Sequence, residues 1–336
     1  MNSLQRYLGT LNGTPIDHLA RLPILMQYAA EFVGSNYAEF ASDYRMLTKA
    51  NLDCAKFFGI DQMNTMSDPY RETQGYGAEI IYEPDMVPYC RAYPLQDSMD
   101  ISTLPRPHPL IAQRMRDRIE AVRVYRQTVG DQYSIMGWVE GPVAEAGDLR
   151  TPEKFFMDLY DEPVFCAELM SLCVDVALEF AKYQIASGAD TIGIGDALAS
   201  QVSADLYEDQ ILSHEQRLVR GLHDMGAKVR LHICGNITHL LPGIATLGVD
   251  IIDVDHMVDL KGTRKALGKR VALAGNIDPV AGVLRGTPDS IRATVLENYR
   301  QAGNPYIVNA GCEIPHGTPI ENLKALCEPV VFKPDA

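Results

Sequence analysis

Three residues with metal-binding side chains stand at the ends of two predicted strands. Residues 229–233 form a short apolar-rich run that stops at Gly235, which is typical of a buried strand followed by a turn. His232 and Cys234 are two residues apart, so their side chains leave this strand on the same side. Cys312 follows a second such run at 306–310. Imidazole and thiolate are ligands of tetrahedral zinc, so the pattern predicts a zinc site shared by two distant strands.

Each of these residues also has a purely structural interpretation. A free Cys often behaves as a small buried hydrophobic residue, and an isolated His usually serves packing. Ligand-type residues that are far apart in the sequence also match by chance. The context favours the metal, because Cys234 and Cys312 each follow a predicted strand and each adjoins a glycine, where the backbone can approach a bound group closely.

The same residues resemble a known family. The pattern His-x-Cys-Gly-Asn after one barrel strand, with a lone Cys much further along the chain, is similar to that of the uroporphyrinogen decarboxylase superfamily, and within it the zinc-dependent corrinoid methyltransferases. The matching residues here are His232, Cys234, Gly235, Asn236 and Cys312. The likeness extends over most of the chain and includes Gly141-Pro142, Ile194-Gly195-Asp196 and Asp253-Val254-Asp255.

The resemblance implies a function as well as a metal. His232, Cys234 and Cys312 would bind Zn²⁺, and the enzyme would transfer a methyl group to or from a corrinoid (cobalamin). The decarboxylases of the superfamily lack this thiolate set. An Arg-rich stretch like the one that they use near the N-terminus to hold substrate carboxylates is not evident here. The methyltransferases are therefore the better match.

Composition narrows the class of protein. The 336 residues carry a net charge of −14, which argues against a nucleic-acid partner, because binding to phosphate backbones depends on basic patches. Seven scattered cysteines fit reduced thiols rather than a disulfide framework. We find no apolar run of membrane-spanning length and no signal-peptide pattern at the N-terminus. We therefore expect a cytoplasmic protein without a membrane partner.

The order of predicted elements indicates an α/β fold, a (β/α)8 TIM barrel. Residues 1–60 form a predicted helical N-terminal extension, and 61–336 form the barrel. A hairpin is expected around the turn Glu83-Pro84-Asp85. Helical and strand patterns then alternate. The clearest predicted strands are 133–139, 191–194, 229–233, 251–254, 271–274 and 306–308. The alternative is an open doubly wound sheet, but no Gly-rich phosphate loop follows any strand.

In a β/α barrel the reactive residues lie at the carboxyl ends of the strands. Glu140 ends a predicted strand just before Gly141-Pro142, a place where related enzymes usually have a small residue. It is a candidate fourth zinc ligand or proton donor, or a residue held by backbone amides. Asp196 ends the next strand and would orient a ligand histidine, bind substrate, or cap a helix. We predict catalytic roles for Glu140 and Asp196.

Other polar residues near strand ends complete the predicted site. The expected contacts with cofactor come from Asn236, Asp253 and Asp255. The expected contacts with substrate come from Tyr207, Asn276 and His316. Asp253 and Asp255 share one side of their strand, because they are two residues apart. His316 is otherwise a simple loop residue.

Two half-reactions of methyl transfer fit such a site. Zinc can activate a thiol that attacks methylcobalamin, or it can assist departure of an ether oxygen while a Co(I) corrinoid takes the methyl group. An acid such as Glu140 suits the second case, because a phenolate leaves poorly unless its oxygen is protonated or bound to a metal. The sequence therefore favours demethylation of a small O-methylated substrate, an aromatic one such as a phenyl methyl ether.

The methyl acceptor would be a separate corrinoid protein, because this chain lacks a cobalamin-binding Asp-x-His-x-x-Gly motif. Two alternatives remain open. One is methyl transfer from a corrinoid protein to a thiol such as coenzyme M, or to tetrahydrofolate. The other is a decarboxylase-like barrel without zinc chemistry. A homo-oligomer is possible.

Overall fold

A parallel sheet organises residues 1–335, the part of the chain that the computed structural model describes. The strands of these residues in chain order are β1 (Gln62–Asn64), β2 (Glu79–Ile81), β3 (Tyr89–Ala92), β4 (Ser134–Glu140), β5 (Thr191–Gly195), β6 (Lys228–His232), β7 (Ile251–Val254), β8 (Ala272–Ile277) and β9 (Tyr306–Ala310). The sheet order is β1-β4-β5-β6-β7-β8-β9, and every neighbouring pair is parallel. Strands β2 and β3 form the predicted antiparallel hairpin.

Helices separate the strands and cover the outside of the sheet. They are α1 (Ser3–Leu11), α2 (Met26–Phe32), α3 (Tyr37–Ser42), α4 (Tyr44–Phe58), α5 (Arg71–Gly75), α6 (Gln113–Val129), α7 (Pro142–Arg150), α8 (Pro152–Asp161), α9 (Pro163–Ala186), α10 (Ala204–Leu206), α11 (Leu212–Asp224), α12 (Leu241–Ile244), α13 (Leu260–Leu267), α14 (Pro288–Ala302) and α15 (Ile320–Leu326). Among the described residues, no helix is both long enough and apolar enough to cross a membrane.

Local sequence signals set several of these boundaries. Helix α4 begins after Asp43, whose side chain accepts a hydrogen bond from the backbone N–H of Arg45, and ends at Gly59, whose φ of 72° suits a helix terminus. Helix α7 begins at Pro142, in the first turn, where a missing N–H costs nothing. The chain therefore turns sharply from β4 into α7 directly after Glu140.

A short extended segment at residues 20–22 closes the barrel. The backbone N–H of Val308 donates to Ala20 O at 2.8 Å, and Leu22 N–H donates to Val308 O at 3.0 Å. On the other side, Asp61 N–H donates to Arg21 O at 2.9 Å, just before β1. The segment thus joins β9 to the start of β1, and the predicted (β/α)8 barrel is confirmed.

Residues 20–22 lie within the predicted helical extension, but they are extended. Their neighbours show a helical pattern, and the stretch itself is too short to show the alternation of a half-buried strand. A strand was therefore not predicted here. Helices α1 to α4 otherwise occupy the extension as expected. The domain boundary at residue 60 stays a prediction.

Asp61 fastens the closing segment and the first helix to the barrel. Its fully buried carboxylate accepts from the backbone N–H of Arg21 at 2.9 Å and from the Arg21 Nε at 3.2 Å. The Arg6 guanidinium of α1 donates to the second carboxylate oxygen at 2.6 Å. Arg6 also pairs with Asp17, a residue whose side chain is 41% exposed. One buried carboxylate therefore satisfies two arginines that come from different elements.

Asp61→Ala should destabilise the protein far more than Asp17→Ala. Removing one partner of a buried ion pair leaves uncompensated charge and costs about 3–5 kcal/mol, whereas an exposed pair contributes about 1 kcal/mol or less. Urea unfolding of both variants measures the difference, and Asp17→Ala is the control because it also removes a partner of Arg6. Equal losses in unfolding free energy would show that Asp61 does not hold the closing segment.

Candidate metal centre

The three predicted ligands meet at the carboxyl ends of β6 and β9. His232 Nε2 lies 3.1 Å from Cys234 Sγ and 3.8 Å from Cys312 Sγ, and the two sulfur atoms are 3.7 Å apart. A tetrahedral zinc with its usual bond lengths requires about 3.8 Å between two sulfur ligands and about 3.6 Å between sulfur and nitrogen. The donor types and the two separations that involve Cys312 therefore fit a zinc ion, whereas His232 and Cys234 stand about 0.5 Å closer than zinc requires, at hydrogen-bond distance. Three protein ligands would leave one coordination position open.

Glycines beside the two cysteines permit this close approach. Gly235 has a φ of 91°, in the left-handed region that other residues avoid. Its N–H donates to Asp255 Oδ2 at 3.0 Å, which fixes the turn after Cys234. At Gly311 a Cβ would stand only 2.5 Å from the backbone nitrogen of His256. A side chain at Gly311 would push Cys312 away from the other ligands.

Asp253 sets the orientation of the His232 ring. Its Oδ2 lies 3.1 Å from His232 Nδ1, so Nε2 faces the two sulfur atoms. The same carboxylate accepts from Arg230 Nε at 2.9 Å and Nη2 at 2.7 Å, and from Asn309 Nδ2 at 3.2 Å. Although burial works against the charge, Arg230 lowers the pKa of Asp253 to about 2. Asp253 is thus an ionised carboxylate that can accept the Nδ1 proton of a metal-ligating histidine.

The two thiols share their hydrogen bond unequally. The hydrogen bond from Cys234, assisted by His232, lowers the pKa of Cys312 to about 4 in spite of burial. The pKa of Cys234 is raised, because its thiol is the donor of that bond and is buried. The lowered pKa favours the thiolate form of Cys312, which is the form that binds metal.

Glu140 is buried at the carboxyl end of β4, in the same barrel mouth as the three predicted ligands. It stands opposite Gly195 of β5, and Gly195 stands opposite His232 of β6, so the three share one row of the sheet. Its Oε1 accepts from Trp138 Nε1 at 3.0 Å and from the Arg71 guanidinium. Burial raises the pKa of Glu140 well above its usual range against the influence of Arg71. A buried carboxyl group with a raised pKa, paired with Arg71, therefore stands two strands away from the histidine.

A cluster of buried carboxyl groups surrounds Arg71 behind Glu140. Glu72 Oε1 accepts from the backbone N–H of Glu140 at 3.1 Å, and Glu145 accepts from Thr73 Oγ1 at 3.1 Å. Burial raises the pKa of Glu72, and it raises the pKa of Asp148 to about 8 despite Arg71. One guanidinium cannot neutralise four carboxylates in a site with little water, so some of these groups carry protons at neutral pH.

Asp196 and Tyr207 do not reach the metal site. The Asp196 carboxylate accepts from the backbone N–H of Ala144 at 2.7 Å, so it caps α7. The Asp196 side chain packs against Gly141, and a Cβ on Gly141 would lie only 2.4 Å from Asp196 Cγ. The fully buried Tyr207 hydroxyl donates to Glu215. We therefore withdraw the prediction that Asp196 orients the ligand histidine, since Asp253 has that position.

The remaining predicted residues mostly support the loops. Asp255 accepts from the backbone N–H groups of Gly235 and Met257, and Asn276 Nδ2 donates to the carbonyl oxygens of Asp255 and Val258. Asn236 is exposed and accepts from the N–H of Thr238, two residues further on. His316 is also exposed, with its Nδ1 3.4 Å from Glu31. Contacts of these side chains with cofactor or substrate stay predictions.

Sequence reasoning missed several residues of this site. Arg71 and Glu72 follow β1, and they would have been candidates if the rule on strand ends had been applied to that weakly predicted strand. Trp138 precedes Glu140 by two residues and shares its side of β4, a spacing that predicts proximity. Arg230 and Asn309 had no such signal, because each lies inside an apolar run.

Comparisons with known proteins agree with this geometry. The family model described as Uroporphyrinogen decarboxylase (URO-D) matches residues 2–331. The methylcobamide:CoM methyltransferase MtaA of Methanosarcina barkeri is 26% identical over 331 residues, which cover 96% of this chain and 95% of that protein. A uroporphyrinogen decarboxylase of Crocosphaera subtropica is 32% identical over 212 residues, which cover 60% of this chain and 59% of that protein.

A solved structure shows the same fold over nearly the whole length. It is a methyltransferase from Methanosarcina mazei, with a TM-score of 0.89 and 24% sequence identity over 97% of each chain. The curated relatives thus include both methyltransferases and decarboxylases, so the choice between these two reactions depends on the residues of the site.

Asp253→Asn should weaken zinc binding without preventing it. Loss of a carboxylate that orients a metal-ligating histidine typically costs about 10- to 100-fold in metal affinity. Competition with a chelator measures the affinity, and thermal unfolding of the metal-free protein detects any loss of folding. Asp259→Asn is the control, since the Asp259 carboxylate only caps α13. Unchanged zinc affinity in folded Asp253→Asn would exclude the orienting role.

The protein should lose stability as the pH rises from about 4 to about 8, between the unfolded and folded pKa values of Asp148. Folded Asp148 has a pKa of about 8 against 3.8 in the unfolded chain, so the folded state binds this proton more tightly. Its contribution is complete below pH 3.8 and declines as the pH rises through about 8, by up to about 1.4 kcal/mol per pH unit.

Urea unfolding at several pH values measures this decline. Asp148→Asn should show a shallower dependence of unfolding free energy on pH, while Asp131→Asn, at an exposed position, should follow the wild type. Identical slopes for Asp148→Asn and wild type would contradict the assignment of the proton to Asp148.

Proposed function

The chain belongs to the uroporphyrinogen decarboxylase (URO-D) family, and on that premise we propose that it is a zinc-dependent, corrinoid-dependent methyltransferase. It takes a methyl group from a small O-methylated substrate, a phenyl methyl ether, and transfers it to the Co(I) corrinoid of a separate corrinoid protein. The observation that carries this proposal is the pairing of a zinc-type ligand set, His232, Cys234 and Cys312, with the buried carboxyl group of Glu140 on the same row of the sheet.

The three ligand residues would hold Zn²⁺ with one position free for the substrate oxygen. Bound there, the metal would supply Lewis-acid polarisation of the carbon–oxygen bond. Asp253 keeps His232 Nδ1 hydrogen-bonded, so that Nε2 remains available for the metal. The lowered pKa of Cys312 reduces the cost of releasing its proton when the metal binds.

Glu140 would complete the reaction by protonating the leaving oxygen. The bond between the methyl carbon and the oxygen breaks, and its electron pair stays on the oxygen. The methyl group passes to the corrinoid acceptor, which provides the electron pair of the new bond. Glu140 donates its proton to the oxygen, so the product leaves as a neutral phenol. Burial raises the pKa of Glu140, which favours the protonated form that a general acid needs.

The principal alternative is the second half-reaction, from a methylated corrinoid protein to a thiol such as coenzyme M, or to tetrahydrofolate. The similarity to the M. barkeri methyltransferase over 96% of this chain favours it. Glu140 argues against it, since activation of a thiol releases a proton and needs no donor. A decarboxylase-like barrel without zinc chemistry is a third candidate, and the meeting of His232, Cys234 and Cys312 counts against it.

The first experiment measures zinc and methyl transfer together. Wild type and Cys312→Ser are purified, their zinc contents are determined, and each is mixed with Co(I) cobalamin and an aryl methyl ether. We expect stoichiometric zinc and methylcobalamin formation in wild type, with both lost in Cys312→Ser. Cys327→Ser is the control, because Cys327 is buried away from the three ligands.

Glu140→Gln in the same assay decides the direction of transfer. It should retain zinc but form methylcobalamin about 10²- to 10⁴-fold more slowly, the range expected for loss of a general acid. Zinc without ether demethylation in wild type, together with demethylation of methylcobalamin by a thiol, would support the alternative half-reaction. Absence of zinc from wild type would overturn all zinc-dependent candidates.

A further inference from the structure

Trp138, the single tryptophan of the chain, lies between the acid and the metal ligands. It precedes Glu140 by two residues on β4, so both side chains point to the same side of the sheet. Its indole Nε1 donates to Glu140 Oε1 at 3.0 Å. Its ring centroid is 6.3 Å from that of His232, with the two planes inclined at 56°. The same side chain therefore contacts the proposed proton donor and approaches a proposed ligand.

Two glycines of β5 make this position possible. Gly193 stands opposite Trp138 in the sheet, and Gly195 stands opposite Glu140. A Cβ at Gly193 would lie 2.2 Å from Trp138 Cε3, and a Cβ at Gly195 would lie 2.9 Å from Trp138 Cζ2. Any larger residue at these positions would displace the indole. Because β5 has no side chains here, the ring extends across it toward His232 on β6.

The indole has little freedom to move elsewhere. It is 3% exposed and packs with Ile24, Met66 and Met136, which hold the ring from the interior of the barrel. A buried indole N–H also needs a hydrogen-bond acceptor, and Glu140 provides it. Displacement of Trp138 would therefore cost both packing and a hydrogen bond.

The hydrogen bonds determine which oxygen of Glu140 carries its proton. Oε1 accepts from Trp138 and from Arg71, so it has the acceptor role. When Glu140 is protonated, its proton is therefore on Oε2. Oε2 lies close to Gly195, since a Cβ on Gly195 would be 3.0 Å from Oε2. Gly195 adjoins His232 in the sheet, so the acidic proton is on the side of the metal ligands.

We propose that Trp138 is a positioning residue that couples Glu140 to the metal centre. Its N–H holds Oε1, which leaves Oε2 on the side of the three ligand residues, and its ring transmits any shift of His232 to the acid. The transfer of the Glu140 proton to the substrate oxygen rests on the proposed function, whereas the coupling of Trp138 to the metal ligands does not.

Fluorescence tests the coupling without any need for methyl transfer. Because Trp138 is the only tryptophan, selective excitation of indole reports on this site alone. Titration of the metal-free protein with Zn²⁺ should change the emission and saturate at one equivalent. Cys312→Ser should show no such change, and the surface variant Phe57→Leu should behave as wild type. Stoichiometric zinc binding with unchanged emission would overturn the coupling.

Kinetics of Trp138→Phe test the positioning of the acid. The variant keeps a ring but loses the N–H, so we expect kcat for ether demethylation to fall about tenfold with little change in KM, the size expected for one hydrogen bond to a charged group. The alkaline limb of the pH profile should move to higher pH, because a donor to the ionised Glu140 is gone. Arg71, Glu72, Glu145 and Asp148, which face Glu140 from α5 and α7, remain in place.

The outcomes separate the two proposals. An unchanged kcat and pH profile in folded, zinc-loaded Trp138→Phe would overturn the positioning role. Failure of wild type to demethylate any aryl ether would contradict the proposed function, and the fluorescence titration would still decide whether Trp138 senses the metal. Thermal unfolding establishes beforehand that Trp138→Phe is folded, and the titration of wild type does not depend on that variant.

Discussion

A carboxylate inside a protein must be paired, and in this barrel the pairing of Asp253 determines where the metal ligands stand. Asp253 on β7 contacts His232 and Arg230 of β6 and Asn309 of β9. Arg230 in turn donates to Gln62 of β1 at 3.3 Å and to the carbonyl oxygen of Leu22 at 3.3 Å. A polar layer therefore crosses the barrel beneath the site and connects the histidine to the closing segment. The position of the metal ligands depends on this layer as much as on the strand ends.

The meeting of His232, Cys234 and Cys312 could be predicted from the sequence because the geometry is local to each strand end. A spacing of two residues places His232 and Cys234 on one side, and the glycines mark where the chain turns. The role of Asp253 was only partly predicted, since the pattern showed that it faces the barrel but did not show which groups it meets there. Contacts of that kind depend on the register between strands, which one strand's sequence does not contain.

Two predicted site residues satisfy other groups away from the ligand cluster. Asp196 and Tyr207 follow a strand, as reactive residues of a barrel do, yet Asp196 caps α7, one of the roles that the sequence left open, and Tyr207 donates to Glu215 of α11. A polar residue at a strand end can cap a helix or contact a substrate, and only the three-dimensional arrangement separates these roles. Residues 20–22 were concealed for a related reason, because a short extended segment is stabilised by partners that are distant in sequence.

Closure of the barrel has a consequence for how the protein folds. The segment at residues 20–22 pairs with Val308, and the Arg21 guanidinium donates to the carbonyl oxygen of Cys327, 306 residues away. Contacts between such distant parts of a chain require closure of a very long loop, which slows folding. During synthesis the segment at residues 20–22 must therefore wait without its β9 partner until β9 has been made. Cys312 follows β9, so the three predicted ligands come together only after the same step.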